Sequence, residues 1–136
     1  MTGDPYVRTD RTALPWAGSV DFSQSVVTDA PLVFAAGQGP FGDDGALVGL
    51  GDPAVQIRTA FENLATVLEA AGASLATIVS QTVYLARAED FPVFKAVRRE
   101  VLSPPWPAAT TLRVDLLEPG MLVEISAVAA VGAARS

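Results

Sequence analysis

The chain holds no cysteine and no histidine among its 136 residues. That removes thiol and imidazole nucleophiles, Ser–His pairs, imidazole general bases and every zinc site built on those side chains. Chemistry must come from carboxylates, Arg, Lys, Ser, Thr, Tyr, backbone N–H groups or water, and neither a metal nor a cofactor is expected. The carboxylate best placed for it is Glu124, the only acid in the apolar final segment that begins Leu122-Val123-Glu124-Ile125. An unpaired carboxylate is expensive to bury. Glu124 therefore either lines a polar cleft or is a structural group bonded to backbone N–H groups or to Arg113.

A second pattern imitates a site. Gly37-Gln38-Gly39-Pro40-Phe41-Gly42 is a literal G-x-G-x-x-G after a strand-like segment, with Glu62 about twenty residues on, as in a dinucleotide fingerprint. The last glycine of such a motif opens a helix whose N–H groups meet pyrophosphate. Here Asp43-Asp44 follows at once, the helical pattern starts only near Pro53, and two carboxylates would repel the phosphates. The segment is read as a glycine-rich loop.

Nine Lys plus Arg against fifteen Asp plus Glu give a net charge of -6, the wrong sign for tracking a phosphate backbone. Nucleic acid is not an expected partner. The first ten residues are polar, with no cationic-then-apolar signal, and no apolar run approaches a membrane span, so a soluble cytoplasmic protein is expected. Half the residues are apolar and the mean hydropathy is +0.35, high for so short a chain. Some of that surface is expected to be buried between subunits.

The elements that position these residues follow from periodicity. Residues 1–15 show no period and are read as a loosely held arm. Residues 20–28 read as a strand and 31–37 as a more buried one, with Asp29-Ala30-Pro31 as the turn between them. Asp52 is placed to cap a first helix, Pro53 to fit its first turn and Gly72 to stop it, while Val55, Phe61, Leu64 and Leu68 recur at helical spacing. A strand over 78–85 should carry Ile78, Ser80, Thr82 and Tyr84 on one face and Val79, Gln81, Val83 and Leu85 on the other. Asp90 is expected to cap a second helix striped by Phe91, Phe94, Val97 and Val101. Ser103-Pro104-Pro105-Trp106-Pro107 ends it and leads into a terminal hairpin turned at Glu118-Pro119-Gly120. The result is one domain, residues 1–136, of α+β class: a mixed β-sheet with two helices packed on one face. The other face, expected to carry Thr111, Arg113, Leu122 and Ser126, needs cover.

Several stretches resemble signatures of the Rid (reactive intermediate deaminase, YjgF-like) family, also labelled L-PSP endoribonucleases. Phe22-Ser23-Gln24-Ser25-Val26 is similar to the family's Tyr-Ser-Gln-Ala-Val strand and Ala35-Ala36-Gly37-Gln38 to its Ser-Gly-Gln motif. Pro107-Ala108-Ala109, followed by Val123-Glu124-Ile125, resembles its Pro-Ala-Arg, strand, turn, apolar-Glu-Ile pattern. The resemblance implies a chorismate-mutase-like fold and a homotrimer whose sheets pack around a threefold axis, with small-molecule sites in clefts between protomers. It makes Glu124 the cleft acid that positions or activates the water attacking an imine carbon. Phe22, Gly37, Lys95, Trp106, Ala109, Thr110 and Thr111 would line the cleft, with packing in the core or an interface an equal reading for Trp106.

Three of these positions depart from the family pattern. Ala109 stands where the arginine grips a substrate carboxylate, Phe22 where a tyrosine stands, and Lys95 where asparagine is common. Arginine-dependent deamination of 2-imino acids is therefore not expected. The leading reading is a trimer that binds a small molecule, hydrolysing an imine or enamine without the usual carboxylate; the alternative is a non-catalytic ligand-binding or interaction protein on the same scaffold. Endoribonuclease activity ranks third, against the acidic charge and the missing histidine. Arg113 shares a strand face with Ala109 but lies about 13 Å along it, which suits a subunit-interface ion pair better than a displaced anion grip.

Overall fold

The computed structural model describes residues 8–10, 13–17 and 20–132. Asp52 opens the longest element as its sequence context predicts. Its side chain accepts a hydrogen bond from the Val55 N–H, Pro53 takes the first helical position, and α1 (Pro53–Ala70) runs until Gly72 turns the chain at φ +85°. Only glycine adopts that backbone without strain. Ile57, Phe61, Leu64 and Leu68 form its buried stripe. Gln56, also fully buried, donates to the carbonyls of Gly49 and Gly120 and accepts from the Leu122 N–H, so a polar side chain ties the helix to two loops.

Around α1 stand the strands β1 (Arg8–Asp10), β2 (Ser25–Val27), β3 (Leu32–Gln38), β4 (Ile78–Leu85), β5 (Ala108–Arg113) and β6 (Val123–Ala130), with a second helix, α2 (Phe91–Val101). The main sheet has the order β3-β6-β4-β5; β4 and β5 run parallel and the other pairs antiparallel. Both helices cover one face, joined to each other by the stacked rings of Phe61 and Phe94, 5.8 Å between centroids. The α+β class, mixed sheet and helix placement agree with the sequence expectation.

Five local expectations are corrected. The terminal hairpin does not form, because β4 lies between β5 and β6. A strand that leaves β4 through a helix returns parallel to it, and β4–α2–β5 is such a crossover. Ile78 does not share a face with Ser80: a bulge shifts the β4–β6 register between them, so Ile78 joins the core cluster while Val79 packs with Ala130 elsewhere. Asp90 precedes α2 but makes no capping bond. A short 3₁₀ turn over Ala88–Asp90 leaves it in helical backbone, and both its oxygens accept from Arg87 at 2.9 Å. Thr111 and Arg113 are not on the bare face, since Thr111 pairs in register with core-facing Val83 and Arg113 with core-facing Leu85; Ser126 is on it. Arg8–Asp10 is not part of a loose arm but pairs antiparallel with Ser25–Val27, whose edge offers free backbone groups. Residues 1–7 and 11–12 of the expected arm lie outside the described residues.

Candidate functional site

The strand β6 sorts its side chains by parity. Val123, Ile125, Ala127 and Ala129 enter the core, whereas Glu124, Ser126 and Val128 emerge on the bare face opposite Tyr84, Thr82 and Ser80. A register irregularity in β3 between Ala35 and Gln38 brings Gly37 beside Glu124. A Cβ added to Gly37 would lie 2.8 Å from Cδ of Glu124 and 3.1 Å from its Cγ, so the absence of a side chain at 37 is what lets the carboxylate lie there. Among the described residues Glu124 has no hydrogen-bond or ion-pair partner, neither Arg113 nor a backbone N–H. Half-buried and unpaired, it has its lone pairs available to water or to a ligand.

A cavity of about 410 Å³ opens on the other side, between α2 and the segment 20–22, at the outer edge of β5. Ser23 fixes that segment: its N–H donates to the Pro107 carbonyl at 2.9 Å, its hydroxyl donates to the Trp106 carbonyl, and it forms a parallel bridge with Ala108. Phe22, Lys95, Ala109 and Thr111 meet in the cavity wall. Ala109 and Thr111 face this side because they pair with Gln81 and Val83 of β4, which point into the core.

Charge in the cavity comes from α2. Lys95, Arg98 and Arg99 line it together with one acid, Asp21. Arg99 Nε donates to Asp21 Oδ2 at 2.5 Å, and Arg98 Nη2 lies 3.8 Å from the same oxygen. The hydrogen bond from Arg99 is the main reason the Asp21 carboxyl is held below the usual carboxylate range. Arg98 is only 3 % exposed, with its guanidinium 5.4 Å from the Phe94 ring centroid. Burial pushes its pKa down, partly opposed by Asp21, and its Nε has no hydrogen-bond partner.

The predicted site residues therefore fall into two groups within one chain. Glu124 and Gly37 adjoin on the bare face, where Thr110 also stands, in register with Thr82. Phe22, Lys95, Ala109 and Thr111 surround the cavity. Trp106 joins neither group: it packs in the core cluster at 9 % exposure. Arg113, exposed, borders a smaller pocket of about 210 Å³ beside Phe91 and Leu112. The glycine-rich loop is pinned from below, its Gly39 and Phe41 carbonyls each accepting from Asn63 Nδ2 at 2.9 Å. Sequence reasoning missed Arg98, Arg99 and Asp21. A signal for Arg98 was present, since it lies four residues after Phe94 and one after Val97, inside the buried stripe of α2.

Comparison with known proteins agrees with this architecture. The family described as Endoribonuclease L-PSP matches residues 13–131. The human 2-iminobutanoate/2-iminopropanoate deaminase is 31% identical over 111 residues, covering 82% of this chain and 80% of that protein. The mitochondrial protein mmf2 of Schizosaccharomyces pombe is 35% identical over 107 residues, covering 76% and 83%. Among solved structures, RidA from an Antarctic Psychrobacter superposes with a TM-score of 0.68 at 32% identity, over 85% of this chain and 92% of that one. The chain belongs to the Endoribonuclease L-PSP family, the Rid/YjgF proteins, among whose members are named deaminases. No helix among the described residues is long and apolar enough to cross a membrane.

Proposed function

We propose that this protein hydrolyses the carbon–nitrogen double bond of a small imine, or of the imine to which a small enamine tautomerises, with Glu124 holding the attacking water. The observation that carries the reading is the Glu124 carboxylate itself, half-buried on a sheet face, lying against Gly37 and without a hydrogen-bond or ion-pair partner among the described residues. In the addition step the water oxygen bonds to the carbon of the protonated imine and the C=N π electrons move to nitrogen, leaving a neutral amine. Glu124 accepts the proton that water loses. Glu124 returns that proton to the carbinolamine nitrogen, the C–N bond breaks to release ammonia, and the hydroxyl group gives its proton to solvent water as its O–H electrons form the carbonyl. Two relatives named for deamination of such compounds, the human deaminase and the 3-aminoacrylate deaminase RutC of Acinetobacter baylyi, favour this class of reaction.

In this proposal the working site is shared between copies. Glu124 and the cavity lie on opposite faces of one sheet, so a small substrate meets both when the bare face of one protomer adjoins the cavity edge of the next. The bare face is suited to such packing: Phe34 is 76 % exposed there and Leu112 44 %, more apolar surface than a lone sheet face leaves in water. A closed ring of three copies is the assembly we adopt from the family likeness. The ribonuclease in the family's description fits this chain less well, since a net charge of -6 repels a polyanion. Ala109 favours the second reading, a ligand-binding protein without turnover. We keep the cytoplasm as the setting, and cell fractionation tests it. The function is tested by ammonia release from imines generated in situ: wild type should exceed background, and Glu124→Gln should lose about 100-fold or more of that rate while keeping its fold. Turnover undiminished in Glu124→Gln would remove the glutamate from the mechanism.

A further inference from the structure

We infer that Tyr84 is the second anchor of the attacking water: its phenol hydroxyl accepts the hydrogen that Glu124 does not take, and the two groups together aim the water's lone pair at the imine carbon. This rests on the hydrolysis reading and adds to it a residue of β4. Both anchors belong to one chain, so the pair exists before any assembly forms.

The first support is register. Tyr84 of β4 is the Cα partner of Glu124 of β6, and both emerge on the bare face, where directly opposite residues carry their Cβ atoms about 4.5–5.5 Å apart. The second is the gap between them. The Glu124 carboxylate leans toward Gly37 on β3, the strand on the far side of β6 from Tyr84, and no hydrogen bond joins it to the phenol. A water between the two meets an acceptor on each side. The third is the phenol itself. A partly buried tyrosine hydroxyl normally finds a partner, yet that of Tyr84 has none among the described residues. Its in-register neighbour on β5 is Leu112, whose side chain offers none. Ring packing alone would be served by phenylalanine. Thr82 and Ser126, in the next row of the same face, also carry hydroxyls, but theirs stay close to the sheet. Side chains stand roughly perpendicular to a sheet, which puts a phenol oxygen a ring's length above it.

The test has a kinetic arm and a structural one. Tyr84→Phe should lower kcat for imine hydrolysis about tenfold, the worth of one hydrogen bond, with KM within about twofold of wild type and the thermal melt unchanged. Because the two groups hold one water, the double variant Glu124→Gln with Tyr84→Phe should lose no more rate than Glu124→Gln alone. A crystal structure of the wild-type protein should show one water within hydrogen-bond distance, about 2.6–3.2 Å, of both a Glu124 carboxylate oxygen and Tyr84 Oη. Full kcat in Tyr84→Phe, losses that multiply in the double variant, or a phenol bonded to a neighbouring chain with no shared water would each overturn the inference. The readouts keep the two claims apart. Loss in Glu124→Gln with full rate in Tyr84→Phe sinks the Tyr84 assignment alone, whereas a wild type without imine turnover sinks the hydrolysis reading and leaves the shared water to stand or fall on the crystal structure.

Discussion

On β6, Val123, Ile125 and Ala129 are wholly buried under α1, while the residues between them, Glu124 and Ser126, stay half-exposed on the face where Phe34 is 76 % exposed. The two faces are made by alternate residues of the same strands, yet only one is closed by the chain itself. Helices α1 and α2 supply the apolar cover on that side, and its energetics follow from burial. The other side has neither cover nor charge enough to be an ordinary wet sheet face, and the one acid of β6, Glu124, sits there without a partner among the described residues. Stability is concentrated on the covered face, and the chemistry proposed here on the bare one.

That contrast can be broken by substitution. Phe61→Ala, which removes a ring stacked on Phe94 in the covered core, should cost about 3–5 kcal/mol in urea denaturation. Phe34→Ala should change the stability of the isolated chain by less than about 0.5 kcal/mol. Comparable losses at the two positions would erase the distinction between the faces. Gly37→Ala drives a methyl group onto the Glu124 carboxylate; displacing that group by about 1 Å should lower imine hydrolysis about 100-fold, with the urea midpoint near wild type. Full activity in Gly37→Ala would mean that the position of Glu124 is immaterial. Phe34→Lys should shift the mass measured by light scattering toward that of a single chain while leaving the helical circular dichroism intact.

The smallest effect concerns Asp21. Its carboxyl is held below its ordinary value of 3.8, chiefly by Arg99. A group whose folded value is depressed contributes stability above its unfolded value and loses it as pH falls through the folded one. Wild type should therefore exceed Asp21→Asn in stability at pH 7 by a small margin, because Arg99 is largely exposed. The margin should shrink below pH 3.8. A margin that grows on acidification would contradict the ion-pair account.

The covered face was the legible one. Asp52, Pro53 and Gly72 bound α1 in the sequence as they do in the fold, because caps and stops are local physics. Strand order was not legible in the same way. The segments 107–114 and 122–131 flank a Pro-Gly turn and read as a hairpin, but the β4–α2–β5 crossover places β4 between them, a pairing that depends on the handedness of a distant connection. Glu124 was visible as an acid among apolar neighbours, and Gly37 as a glycine in a strand. Their contact depends on an irregularity in β3 that no residue type marks. Arg98 was passed over, although its spacing from Phe94 put it on the buried side of α2.

The shared site is tested most directly by mixing two variants, each impaired in a different half. Glu124→Gln disables the bare-face half and Ala109→Trp fills the cavity half, so each alone should be inactive in imine hydrolysis. Under the proposed assembly, unfolding them together in equal amounts and refolding gives mixed trimers in which about a quarter of the clefts combine an intact Glu124 from one copy with an intact cavity from the next. The account predicts recovery of about a quarter of wild-type ammonia release. No recovery, in mixtures shown by mass to contain mixed trimers, would contradict a site divided between copies.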